Sequence, residues 1–155
     1  MDMAINHLVD RHPVVSVDLI RAFERADTRP EGWTAEDAER AVDRYVRFLL
    51  LAAKYKGLPQ APTRDIDFIW HLHMLHPSAY FADCQRLFGT ILDHDGGFGK
   101  GEGELPKLKA VFIDTAERWE KEYDEPYVAM PQKGQQLEKC WHDCQGRCWH
   151  ACASD

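Results

Sequence analysis

Apolar residues recur at three- and four-residue intervals along most of the chain, the mark of helices that bury one stripe. Leu19, Ile20, Phe23 and Ala26 make the first stripe and predict a helix over Ser16–Ala26; Asp27–Gly32, with Pro30, breaks it. Thr34, followed three residues on by Asp37, has the form of a capping box. It opens the clearest predicted helix, Thr34–Lys56, with Ala38, Ala41, Val42, Tyr45, Val46, Leu49, Leu50 and Ala53 inward and Gly57 as its stop. Pro59 and Pro62 mark the next loop.

Arg64–Leu75 reads two ways. As a strand, Ile66, Phe68, Trp70, Leu72 and Met74 share one face, and Asp65, Asp67, Ile69, His71 and His73 the other. As a helix, Thr63 is the N-cap and two aspartates sit in the first turn, where the helix dipole favours them. The start signals favour the helix. Pro77 then occupies the first position of another helix, with Tyr80, Cys84, Leu87 and Phe88 on one side and Gly89 at its end. Residues 93–106 form a glycine-rich loop, and a last long helix near Leu105–Tyr123 turns Leu108, Val111, Phe112, Thr115 and Trp119 inward. Past Pro126 the chain reads as polar and irregular up to a run of cysteines. The expected fold class is therefore all-α: a compact bundle of about five helices with a glycine-rich loop and a C-terminal cysteine tail. Residues 1–128 are expected to form the helical domain, and 129–155 a linker and the tail.

Composition narrows the function. At 155 residues, 45% of them hydrophobic, the chain is long enough for one domain with a real core. Nineteen basic against 26 acidic residues give a net charge of −7, which speaks against nucleic acid as a partner because phosphate contacts need a basic face. The longest apolar runs, such as Phe48–Ala53, are too short to span a bilayer, so no membrane is expected. A protein or peptide partner stays open, as does the oligomeric state. The N-terminus has neither the basic start nor the apolar stretch of a signal peptide, so the expected location is cytoplasmic. There thiols stay reduced, and clustered cysteines point to metal or redox chemistry sooner than to disulfides.

Two clusters carry chemistry. The first runs from Asp67 through His71, His73 and His76 to His94. Imidazole and carboxylate groups are ligands for zinc, copper or iron, and three of them leave an open position for a substrate. On a helix, Asp67 and His71 lie four apart and share a face, while His71 and His73 point about 200° apart. The workable set is then Asp67 or His71, His76 at the turn and His94 returning from the loop; a strand would instead bring His71 and His73 together. The competing reading makes His73 a hydrogen-bonded core histidine and His76 a residue that only precedes its helix. The glycines of GGFGKGEG lack phosphate-loop spacing and read as a mobile flap near His94.

The second cluster is an internal repeat, Cys140-Trp-His-Asp-Cys144 and Cys148-Trp-His-Ala-Cys152, joined by Gln145-Gly146-Arg147. In one helix all four sulfurs fall on a stripe; if Gly146 breaks the helix, the units face one another and four thiolates converge, which suits Zn(II) or Cu(I). Neighbouring Cβ atoms about 5–6 Å apart on a helix are too far for an unstrained disulfide. Disulfides would need the hairpin, with Cys140–Cys152 and Cys144–Cys148 pairs. Alternatively Trp141 and Trp149 dock the tail while the cysteines pack as small apolar groups. Cys84, alone on a helix face, reads as core.

The run Asp67-Phe-Ile-Trp70-His71-Leu-His73-Met-Leu-His76-Pro77-Ser-Ala-Tyr80 resembles the glycine-rich domain-containing protein-like (GRDP-like) family, in which a later histidine–acid pair corresponds to His94-Asp95. The resemblance spans roughly residues 10–125, implies a mostly helical domain and adds Trp70, Tyr80 and Asp95 to the residues of interest. It implies no particular activity. This chain departs from longer members in lacking an extended glycine-rich region and in ending with cysteines. Two functions are expected on these grounds: a metalloprotein with oxidative or hydrolytic chemistry at residues 67–94, or a non-enzymatic metal- or redox-handling protein acting through the CWHxC repeats. A weaker third is an interaction module whose tail is modified. Whether the chain is an enzyme is left open.

Overall fold

The computed structural model describes residues 14–96 and 98–128. Within them the chain forms five α-helices and no strand: α1 (Leu19–Glu24), α2 (Ala35–Lys54), α3 (Arg64–Met74), α4 (Pro77–Phe88) and α5 (Glu104–Tyr123). The cysteine tail, Cys140–Cys152, lies outside the described residues. No described helix is long and apolar enough to cross a membrane.

The central helix, α2, packs against α1, α3, α4 and α5, and α3 packs in turn on α1 and α4. Its start is the capping box that the sequence predicts. The Thr34 hydroxyl oxygen accepts from the Asp37 amide at 3.2 Å, and the Thr34 amide donates to the Asp37 carboxylate at 2.7 Å. Its buried face is wider than the predicted stripe. Ala38, Ala41, Tyr45, Val46 and Leu49 are buried as expected, but so are Arg44, Phe48, Leu51 and Ala52, while Leu50 is 41% exposed. A helix surrounded by four others buries more than one stripe, and the sequence pattern cannot say which flank faces water.

Arg64–Met74 is a helix, so the strand reading does not hold. Thr63 occupies the N-cap position but makes no capping bond. Its hydroxyl donates to Asp65 at 2.6 Å and accepts from Arg44 at 3.1 Å. Arg44 thereby ties α2 to the start of α3, and it also donates to the Tyr127 carbonyl at 2.5 Å. Tyr127 is fully buried and donates to the Ala61 carbonyl at 2.7 Å. Tyr127, at the start of the stretch expected to be polar and irregular, thus closes the core beside Trp119.

α4 starts with Pro77 and stops at Gly89, whose φ of 72° is left-handed and strains any residue with a Cβ. The loop that follows is tied down at its far end. Glu104, the first residue of α5, accepts from the Gly99 amide at 2.8 Å and the Gly101 amide at 2.9 Å. A Cβ on Gly101 would sit 2.7 Å from the Glu104 carboxyl carbon, so a side chain there would push the Glu104 carboxylate out of this turn. These bonds anchor the end of the glycine-rich loop to the first residue of α5.

Candidate metal centre

Four residues separate Asp67 from His71, one helical turn of α3, and both side chains emerge on the same face. His94 reaches them from the loop after α4, 23 residues beyond His71. The loop is held by a relay from the two helices. Trp70 Nε1–H donates to the Tyr80 hydroxyl at 2.9 Å, and that hydroxyl donates to the Leu92 carbonyl, two residues before His94. The His94 ring then packs edge-on against Trp70, with centroids 4.5 Å apart. Trp70 and Tyr80 therefore position the third side chain and do not contribute donors themselves.

One donor atom each from Asp67, His71 and His94 lies within 4.8 Å of the others, the one such group of His, Cys, Asp or Glu donors among the described residues. His94 Nε2 is 2.8 Å from Asp67 Oδ1, a hydrogen bond. His71 Nε2 is 3.5 Å from Asp67 Oδ2, too long for one. That nitrogen is buried and has no hydrogen-bond partner, although the His71 side chain as a whole is 43% exposed. The two imidazoles meet edge to face with centroids 4.7 Å apart.

Electrostatics of the cluster are dominated by loss of water. Burial pushes the Asp67 carboxyl above its ordinary value, against the opposing pull of the His94 hydrogen bond and the neighbouring imidazoles. Burial likewise holds His71 below its ordinary value, with Asp67 acting in the other direction and His94 adding to the depression. The site therefore favours a neutral His71 beside a carboxylate whose charge the protein compensates incompletely. A cation would satisfy both groups.

The donor set fits a transition ion. Zinc–nitrogen bonds of about 2.0–2.1 Å set a tetrahedral edge of ~3.3 Å between ligands. The 3.5 Å contact of His71 and the 2.8 Å contact of His94 run to different oxygens of the Asp67 carboxylate. With one donor atom from each residue within 4.8 Å of the others, the three side chains would draw together slightly around one ion. Asp67 and both imidazoles would then fill three positions.

Two of the predicted ligands do not join the cluster. His73 points to the opposite side of α3 into the core, with a side chain 1% exposed. Its Nδ1 is 2.7 Å from the Tyr45 hydroxyl and its Nε2 is 2.9 Å from Asp83 Oδ2, so neither nitrogen is free. Burial lowers His73 in spite of that carboxylate. Burial alone would raise Asp83, but the Ser16 amide, Arg86, His73 and the Ser16 hydroxyl hold it below the usual carboxylate range. His76 is exposed, and its Nδ1 approaches the Leu72 carbonyl at the C-terminal end of α3 at 2.8 Å. Asp95 lines a separate cleft of about 580 Å3 beside Phe98 and Lys107. Cys84 is buried, as expected. The Tyr45–His73–Asp83–Ser16 chain was not foreseen. A hydroxyl in the apolar stripe of α2 and a carboxylate beside Cys84 were the available signals, since buried polar groups demand partners.

Residues 18–83 match the family described as glycine-rich domain-containing protein-like (GRDP-like). Glycine-rich domain-containing proteins 1 and 2 of Arabidopsis thaliana are 37% and 35% identical to this chain over 94 residues. Those alignments cover 57% of this chain but only 11% and 12% of the two relatives, so it corresponds to a small part of their length. No solved structure matches significantly. His94 lies beyond the family match, whereas Asp67, His71 and the Trp70–Tyr80 motif fall inside it. Residues 18–83 are thus a domain of the GRDP-like family, the family that the histidine segment resembles.

Proposed function

We propose that this chain is a metal-binding protein in which Asp67, His71 and His94 hold one transition ion, zinc, copper or iron. The observation that carries the reading is the buried, unpartnered His71 Nε2 facing a carboxylate and a second imidazole that arrives from a distant loop. A lone-pair nitrogen without a donor is costly to bury, and an ion removes the cost. Three protein ligands leave a fourth position open, the arrangement of catalytic rather than structural sites. The ion would supply Lewis-acid character and activate a bound water or substrate. Hydrolytic or oxidative chemistry is the reaction class this supports. The test is metal analysis of freshly purified protein beside Asp67→Asn and His71→Ala. Loss of one equivalent of metal in each variant supports the centre, and the parent stoichiometry kept in both refutes it.

A second reading rests on the repeated CWHxC units, whose Cys140, Cys144, Cys148 and Cys152 are soft donors for Zn(II) or Cu(I). In that reading the protein handles metal or redox equivalents without catalysis. Replacing Cys144 and Cys148 by Ser, and separately cutting the chain after Gln136, divides total metal between the two sites. Full stoichiometry with unchanged thiol reactivity in the double variant removes the second reading.

A further inference from the structure

Asp67 and His71 form part of the wall of a cleft of about 870 Å3 between α1, the 25–30 turn and one side of α3 along its length. That volume is within the ordinary range for small-molecule sites. His94 is not among the lining residues, so the cleft meets the centre along its Asp67–His71 edge. The cleft also contains Arg25, Arg29 and Arg64. None of these three pairs with a carboxylate among the described residues, whereas Arg40, Arg44, Arg47 and Arg86 each do. The acidic side chains of the cleft are Asp27 and Asp67, and Asp67 is already engaged by His94. In a chain with 26 acidic residues and a net charge of −7, three guanidinium groups with no carboxylate partner among the described residues, Arg29 lying also over the Phe23 ring at 5.8 Å, form a local reversal of sign around one opening. Phe68 and Leu72 add apolar lining to the same cleft.

Guanidinium groups match carboxylate and phosphate oxygens in a fixed planar fork, and a cleft with low-dielectric walls strengthens that attraction. We infer that the cleft admits a small oxyanion-bearing molecule, a carboxylate or a phosphate, held by Arg25, Arg29 and Arg64 with one oxygen directed to the open position of the ion at Asp67–His71. The inference rests on the metal reading and names the substrate class of that centre.

Cobalt(II), a spectroscopic substitute for zinc, separates the two. The full-length protein is titrated with Co(II) alone, and its visible ligand-field bands report occupancy of the His/Asp centre. Absence of bands that depend on His71 refutes the metal reading and the anion inference with it. The Co(II)-loaded protein is then titrated with inorganic phosphate and, in a second arm, with acetate, at ionic strength held constant with perchlorate. Saturable movement of the bands by either anion is the expected result, and the arm that responds at lower concentration identifies phosphate or carboxylate as the chemistry preferred. An Arg25→Gln/Arg64→Gln variant should bind Co(II) as before but need about a hundredfold more anion, roughly tenfold for each of the two charge-assisted hydrogen bonds lost. Bands that form normally but ignore both anions, or an anion response unchanged in the arginine variant, overturn the inference and leave the metal reading standing.

Discussion

Two histidines two residues apart on α3 should behave as opposites when each is replaced by alanine. His73 is 1% exposed and its ring contacts both the Tyr45 hydroxyl and Asp83. Removing it strands the Tyr45 hydroxyl, a buried group whose loss of partner costs about 1–3 kcal/mol, and leaves a ring-sized cavity. Asp83 suffers less, because Ser16 and Arg86 still donate to it. The sum is about 3–5 kcal/mol, against the ~5–15 kcal/mol that holds a domain folded. The expected fall in melting temperature is ~10–20 °C. His71 is 43% exposed and its Nε2 has no hydrogen-bond partner. His71→Ala should therefore change the stability of the metal-free protein by no more than about 0.5 kcal/mol. Its effect belongs to metal affinity. Loss of an outer-shell partner already costs 10–100-fold, so loss of a direct ligand should cost at least ~100-fold. Urea unfolding of metal-free protein gives the first quantity, and competition for zinc against a chromophoric chelator gives the second. The reasoning fails if His71→Ala keeps zinc affinity within a few fold of the parent. It fails equally if folded His73→Ala loses as much affinity as His71→Ala.

Leu49→Ala, at a position 1% exposed, should cost about 2–5 kcal/mol in urea unfolding, whereas Leu50→Ala, 41% exposed, should cost about 0.5 or less; equal costs would mean the register of α2 is wrong. Tyr80→Phe removes the hydroxyl that holds the Leu92 carbonyl, and should weaken zinc binding by ~10–100-fold while the helical circular-dichroism signal is unchanged. Arg44→Ala breaks contacts with Asp65, Thr63 and the Tyr127 carbonyl. It should cost about 2–4 kcal/mol in urea unfolding, below the ~3–5 of a fully buried pair because Asp65 keeps contact with water; a loss under 1 would show the network to be dispensable. Stability should fall on acidification from about pH 7 to 5.5, since unfolded histidine takes up a proton near 6.5 while folded His73 and His71, both lowered by burial, do so only at lower pH. The unfolded state binds more protons in that window, so stability rises with pH. Asp67, raised by burial, protonates more readily when folded and offsets part of the loss toward the acid end. Urea midpoints that stay level or rise on acidification would contradict the assignment.

Helices and their ends were legible in the sequence because their causes are local. The Thr34–Asp37 box, Pro77 at a first position and Gly89 at a left-handed stop act within one turn of the chain. The shared face of Asp67 and His71 was equally legible, being a consequence of 3.6 residues per turn. That His94 would return to them was also expected; that His76 would stay apart was not. His73 and His76 are nearer in sequence than His94, yet a helical step of two residues turns His73 toward Tyr45 and Asp83, and only the Trp70–Tyr80–Leu92 relay carries His94 back. The burial of Tyr127 and the width of the buried face of α2 were likewise invisible, because each depends on how many neighbours surround a residue. The three arginines of the cleft come from α1, a turn and α3, and no periodicity joins them. Local backbone chemistry is written in residue order, whereas the meeting of Asp67, His71 and His94 exists only once α3, α4 and the loop beyond them pack.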